Sequence, residues 1–272
     1  MTYKGRLPLL LSVPHGGLEI PPEVRSGCRL GLPALLRDGD TWSGHLYSLE
    51  ERVSAFFRFP VARAVLDLNR AAEDRPPENP DGVVKTVTVC NEQVWENPEG
   101  LSDDQITLLL DRYYHPYHRG LLAASKNGNI KLGLDCHTML ARAPQSSDHP
   151  GETRPLVCLS NRGDQNGEAL DEPLTAPPGM IRALGRFLEQ QLTRLDRNRA
   201  VPVVRLNRPF NGGYITTKHG RAGHIPWIQV ELNRSLYLSS EPLAAVPDQA
   251  ANARIKSLQR CLFEAFKMIS LY

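Results

Sequence analysis

Apolar positions fall in short runs, and their spacing changes along the chain. Leu7 to Val13 is almost continuously apolar and reads as a short buried strand. Between Gly44 and Phe57, the residues Leu46, Leu49, Val53 and Phe57 recur at helical spacing, which predicts an amphipathic helix. Val61 to Leu68 predicts a second strand, and the proline- and charge-rich residues 71–82 a loop. Ser102, followed by Asp103 and Asp104, predicts an N-cap and a helix towards Lys126, interrupted near Pro116. Lys131 to Leu134 predicts a strand that runs into Asp135-Cys136-His137, and residues 139–154 a loop. Further strands are expected at Pro155–Leu159, Pro202–Leu206 and Trp227–Leu232. Helices are expected from Pro178-Gly179 to about Leu195 and from about Pro247 to Ile269. Strands separated by helices predict an α/β fold with a mainly parallel or mixed central sheet covered on both faces. The absence of a low-complexity linker predicts a single domain over 1–272.

Composition narrows the function. Hydrophobic residues make up 41% of the 272, enough for a sizeable core. The net charge is only +2, without the basic stripe of a nucleic-acid binder. No apolar stretch is long enough to span a bilayer, and the run after the N-terminus is too short for a signal peptide. Five cysteines, an odd number without a C-x-x-C, predict reduced thiols and a cytoplasmic protein. The expected state is a monomer or small homo-oligomer.

Several expected strands end in polar residues that a core would not choose. His15 in "SVPHGG" ends the first, between a proline that restricts the backbone and two glycines that let backbone or ligand come close. Asp67-Leu68-Asn69-Arg70, Asp135-Cys136-His137-Thr138 and Gln229-Val230-Glu231-Leu232-Asn233 end three others. Parallel neighbours would bring these endings to one sheet edge, where open α/β sheets place ligands. Two histidines, His15 and His137, with one carboxylate make a three-ligand zinc site that leaves a position for water. Asp40 and Glu19 compete for the carboxylate place, and Asp38 reads as a turn residue. Glu231 can take a proton from the attacking water, and Asn69 with Arg70 can hold a substrate carboxylate. His115 and His118, three apart on a helix, stay outside the ligand set, with His118 a possible support. The glycine-rich run Phe210–Gly220 lacks phosphate-loop spacing and opens no clear helix. It reads as a loop shaping a pocket, with Gly213 and Tyr214 on the substrate side. The loops at 71–100 and 139–154 are candidates for its rim.

Taken in order, "SVPHGG", "DGDTW", "DLNR", "HPYH", "LDCHT", "NRPFNGGYIT" and "IQVELNRSLY" resemble the N-formylglutamate amidohydrolase family over residues 12 to about 237. The resemblance implies a three-layer α/β/α, phosphorylase/hydrolase-like fold, distantly similar to zinc carboxypeptidases and aspartoacylase. It implies one zinc per chain on His15, Asp40 and His137. It places Asn69 and Arg70 at a carboxylate clamp and Glu231 at the proton shuttle. The substrate implied is a small N-acyl amino acid, N-formylglutamate first, split into glutamate and formate. The chain departs from the family's Asp-Thr-Asp-Trp-His run, with Asp38-Gly39-Asp40-Thr41-Trp42 and no histidine, and carries Lys218-His219 in the loop after Gly213. Both departures lie on the expected substrate side, so the acyl amino acid stays open. The alternatives are a carboxypeptidase- or aspartoacylase-like zinc hydrolase of another substrate, and a catalytically silent binding protein on the same fold.

Overall fold

The computed structural model describes residues 5–145, 147, 149–193, 201–242 and 244–272. Six strands form one mixed sheet: β1 (Leu7–Val13), β2 (Val53–Arg58), β3 (Leu132–Met139), β4 (Val157–Ser160), β5 (Val204–Leu206) and β6 (Trp227–Asn233). Their order across the sheet is β2-β1-β3-β6-β4-β5. The first four strands in that order run parallel, β4 is antiparallel to β6, and β5 is parallel to β4. The helices are α1 (Leu32–Asp38), α2 (Ser43–Leu46), α3 (Asp103–Leu109), α4 (His115–Ser125), α5 (Pro178–Thr193), α6 (Tyr214–Arg221) and α7 (Gln249–Ser270). None of the described helices is long and apolar enough to cross a membrane.

Side-chain alternation divides the core. Leu7, Leu9, Leu11 and Val13 of β1 join the cluster that holds the apolar faces of α5 and α7, while Leu10 joins the cluster of α3 and α4. A strand covered on both faces has no solvent side, so its sequence is a continuous apolar run. The same alternation shapes β3 and β6. Leu134 and Cys136, with Val230 and Leu232, go to the α5–α7 face. Asp135 and His137, with Gln229 and Glu231, are left on the other face. In register, Asp135 pairs with Gln229 and His137 with Glu231. Gly133 pairs with Trp227 one step earlier, and a Cβ at Gly133 would lie 2.4 Å from the indole, so only glycine admits that ring.

Several expectations needed correction. Residues 44–57 are not one helix: α2 is a single turn, and Val53–Arg58 is the edge strand β2 paired with β1. Its aromatic and β-branched residues suit a half-exposed strand, and sheet pairing overrides the coincidental helical spacing. Val61–Leu68 is no strand. Val61 and Ala62 form isolated bridges to Glu19 and Gly17, then the chain turns at Ala62 to Val65 and packs into the core. Tyr214–Arg221 is a helix where a loop was expected. The N-cap at Ser102 is present as a capping box, and a five-residue π-turn over Leu110–Tyr114 interrupts the run before Pro116. Proline cannot donate to the preceding turn, which accounts for the interruption. The end expected for α5 near Leu195 lies outside the described residues.

Candidate metal and catalytic site

β1 ends at Val13, and Pro14 carries His15 out over the edge that β3 and β6 share. The glycines that follow serve the protein's own packing. A Cβ at Gly17 would lie 2.1 Å from the Pro60 carbonyl oxygen, and one at Gly16 would lie 2.8 Å from the Gly44 nitrogen. Of the two uses expected for these glycines, backbone or ligand, it is the close approach of two backbone segments that requires them. His15 returns the favour through its carbonyl, which accepts from the Asp40 backbone N–H at 2.9 Å. This bond docks the α1–α2 connection against the strand end.

His15, Asp40 and His137 converge, all buried, with one ligand atom from each within 4.8 Å of the others. The imidazole rings stand edge to face, centroids 4.7 Å apart. His15 Nδ1 lies 3.7 Å and His137 Nδ1 3.2 Å from Asp40 Oδ2. Each ring's far nitrogen rests on another carboxylate: His15 Nε2 on Asp67 at 2.7 Å, His137 Nε2 on Asp135 at 3.2 Å. An Nε2–H donated to a carboxylate leaves Nδ1 as the lone-pair donor and fixes the ring's direction. Arg234 Nη2 donates to the Gly39 carbonyl at 2.6 Å and reaches Asp40 Oδ1 at 3.3 Å, so Asp40 is held from behind. Two aimed imidazoles and one carboxylate oxygen suit zinc, which takes nitrogen and oxygen ligands and binds catalytically through three of them. Glu19 is exposed and takes no part in this cluster.

The electrostatics match a cation site. Burial disfavours a charged His15 and outweighs Asp67, so its pKa falls below the usual value. Burial acts likewise on His137, but Asp135, Asp40 and Glu231 outweigh it, and its pKa lies well above normal. Asp40 is buried, yet its bond to His137 and the charges of His15 and Arg234 keep it ionised. The His137–Asp40 contact, 3.2 Å from Nδ1 to Oδ2, lies where a metal on the three ligands would place its charge.

Glu231 is buried beside this cluster on β6, directly across from His137. Its Oε1 accepts from Gln229 Nε2 at 3.0 Å, while Gln229 Oε1 accepts from the Gly213 backbone at 2.6 Å. Burial pushes its pKa up to about 7, helped by Asp40 and Asp135 and opposed chiefly by His137. A cation on the three ligands would lower it again.

Asn69 and Arg70 lie at the same edge with partners of their own. Asn69 Oδ1 accepts from the Ile215 backbone at 2.8 Å, which caps α6. A Cβ on Gly213 would lie 2.2 Å from the Asn69 amide, so glycine there permits the cap. Asn69 Nδ2 sits 3.5 Å from His137 Nε2. Arg70 is half-buried, with Nη2 on Asp81 Oδ2 at 2.8 Å and Nε on the Asp81 carbonyl at 2.9 Å. Tyr214 lies at the start of α6, where Lys218 Nζ donates to its hydroxyl at 3.0 Å. These residues, with Gly213, line a cleft of about 610 Å³ that also contains the three candidate ligands and Glu231. Residues from 71–100 and 139–154 contribute to its wall, as expected of a rim.

Some contributors went unassigned in the sequence. Asp67 and Asp135 were visible within "DLNR" and "LDCHT", and the period of two puts Asp135 on the face of His137. Asp38 is no turn residue. It is buried, accepts from the Val89 backbone at 2.9 Å, and with Arg63, Lys85 and Asp81 forms an ionic network tying the 71–100 segment to the site. His118 meets His219, Nδ1 to Nε2 at 3.0 Å, and its Nε2 faces the Leu68 carbonyl at 3.2 Å, just before Asn69. His115 is 3.9 Å from Asp111 and outside the cleft.

A sequence profile of the N-formylglutamate amidohydrolase family matches residues 7–238. The chain belongs to the N-formylglutamate amidohydrolase family. It is 27% identical over 262 residues to the N-formylglutamate deformylase of Pseudomonas putida, covering 93% of this chain and 90% of that one. To the deformylase of Pseudomonas aeruginosa it is 26% identical over 270 residues, covering 95% and 94%. The solved structure of N-formylglutamate amidohydrolase from Ralstonia eutropha JMP134 superimposes with a TM-score of 0.74 at 21% identity, covering 99% of this chain and 95% of that one. That likeness is one of fold.

Proposed function

We propose that this protein hydrolyses the amide bond of N-formyl amino acids, N-formylglutamate first among them, adding water to give formate and glutamate. The observation that carries the reading is the juxtaposition of the His15–Asp40–His137 cluster with buried Glu231 in one cleft. Names of relatives in the same family support the substrate. His15, Asp40 and His137 would hold one zinc, which when bound supplies a Lewis acid for the formyl carbonyl and acidifies water. Glu231 takes the proton of the attacking water and delivers it to the departing amine nitrogen. Gln229 keeps its carboxylate oriented. Asn69 and Arg70 hold a carboxylate of the substrate, and Gly213 and Tyr214 line the wall against it. The one sheet with core on both faces supports a single-domain enzyme. Five cysteines, an odd number without a C-x-x-C, support a reducing compartment, the cytoplasm.

The test is formate release from N-formylglutamate by zinc-supplemented protein, alongside Glu231→Gln. Glu231→Gln keeps the shape and removes the base, so kcat should fall by roughly 10²–10⁴ with KM and metal content nearly unchanged. A protein that releases no formate from any N-formyl amino acid, or a Gln variant near full activity, contradicts the reading.

A further inference from the structure

Seven arginines among the described residues line the cleft. Six have a carboxylate partner. Arg37 is on Glu92, Arg63 on Asp67, Arg70 on Asp81, Arg234 on Asp40, and both Arg162 and Arg221 on Glu172. Arg154 is the exception. It is only 8% exposed, and its Nε has no hydrogen-bond partner. No carboxylate among the described residues lies within ion-pair distance of it, although Glu231 and Glu152 act on its charge from further away. Arg162 also leaves Nε unbonded, but its charge is met by Glu172.

The position of Arg154 is built. Its backbone N–H donates to the Ala141 carbonyl at 3.0 Å, and its own carbonyl accepts from Asn233 Nδ2 at 3.3 Å. Asn233 stands two residues after Glu231 on β6, so Arg154 is tethered to the catalytic strand. Its guanidinium lies over the Phe210 ring, Cζ 4.9 Å from the centroid. Stacking fixes the plane on one face and leaves the N–H edge for a ligand. A buried guanidinium without a paired anion is costly, and a carboxylate that pairs with it offsets part of that cost.

We propose that Arg154 is the receptor for a carboxylate of the substrate. The inference rests on the hydrolase reading above and sharpens it. Arg70 arrives already paired with Asp81, whereas Arg154 is met only at longer range, by the charges of Glu231 and Glu152, and keeps its fork free. An acidic N-formyl amino acid has two carboxylates: one meets Arg154, and the other lies towards Asn69 and Arg70. An N-formyl amino acid with a neutral side chain has only its α-carboxylate to offer.

The probe is glutarate, a dicarboxylate without a scissile bond, titrated calorimetrically into zinc-supplemented protein. Arg154→Met should weaken glutarate about 10–100-fold, the loss expected for a charge-assisted pair. KM for N-formylglutamate should rise by a similar factor, with kcat changed less. N-formylglutamine separates the two sources of carboxylate. An equal loss with that substrate places the α-carboxylate on Arg154, and no loss places the side-chain carboxylate there. Arg154→Lys keeps the charge but not the fork, and should weaken glutarate several-fold. It carries the test if the Met variant fails to fold. Wild-type protein that does not bind glutarate, or folded variants with affinity and KM within about twofold of wild type, overturn the proposal. Arg154-dependent glutarate binding without formate release would sink the hydrolase reading and leave this one standing.

Discussion

The molecule buries two pairs of neighbouring histidines, and they differ in what stands behind them. His15 and His137 stand edge to face, each braced by its own carboxylate and both turned towards Asp40. His118 and His219 are stacked, centroids 5.3 Å apart, with ring nitrogen meeting ring nitrogen. No carboxylate forms an ion pair with the second pair among the described residues. Burial therefore wins there, and pKa values fall to about 3 for His118 and about 4 for His219, with the nearby Lys218 charge pushing the same way. At His137, three carboxylates reverse the effect of burial, whereas at His15 burial still outweighs Asp67. Burial alone makes a histidine neutral and structural. Carboxylates arranged behind it make it a place for positive charge, whether a proton or a metal.

The contrast can be broken by removing its cause. Asp67→Asn keeps a hydrogen bond to His15 Nε2 but loses the charge. Zinc affinity, read by competition with a chelating dye, should fall 10–100-fold, and Asp135→Asn should act likewise through His137. Unchanged affinity in both variants would mean that the carboxylates do not set the character of this pair.

A smaller effect sharpens the other side. His118 and His219 are neutral in the folded protein, while the unfolded chain protonates them below about pH 6.5. The folded pKa values are depressed, so this contribution to stability is complete above pH 6.5. It is lost as pH falls towards about 4 and then about 3. His118→Gln removes one of the groups. Relative to its own value at pH 8, the variant should lose a few degrees less in Tm between pH 7 and pH 5 than the wild type. Parallel pH profiles would show that this pair does not titrate as described.

The same contrast governed what the sequence disclosed. β1 was legible because a strand buried on both faces is a nearly unbroken apolar run, and β3 and β6 because polar residues interrupt otherwise apolar strands and stand out. His15, His137 and Glu231 stood out in that way. β2 was not legible, because an edge strand carries no such run and its Val53 and Phe57 fell on a helical spacing by chance. α6 was hidden because Gly213 has no side chain to cap it, and the cap comes from Asn69, 146 residues before Ile215. Arg154 sits in a segment without periodic pattern, and only the tertiary pairing of the other arginines reveals that no carboxylate among the described residues is within ion-pair distance of it. Asp38, inside a recognisable run, was misread because its partners Lys85 and Val89 lie some fifty residues further along. Local pattern reports burial, whereas charge compensation is settled by contacts distant in sequence.

The central claim is that His15, Asp40 and His137 together hold one divalent cation. The direct measurement is zinc stoichiometry after reconstitution and removal of loose metal, by elemental analysis of wild type, Asp40→Ala, Glu19→Ala and His118→Gln. About one zinc per chain is expected in the wild type, in Glu19→Ala and in His118→Gln, with most of it lost in Asp40→Ala. Wild-type protein that retains no zinc, or an Asp40→Ala variant that retains it while Glu19→Ala does not, would contradict the account.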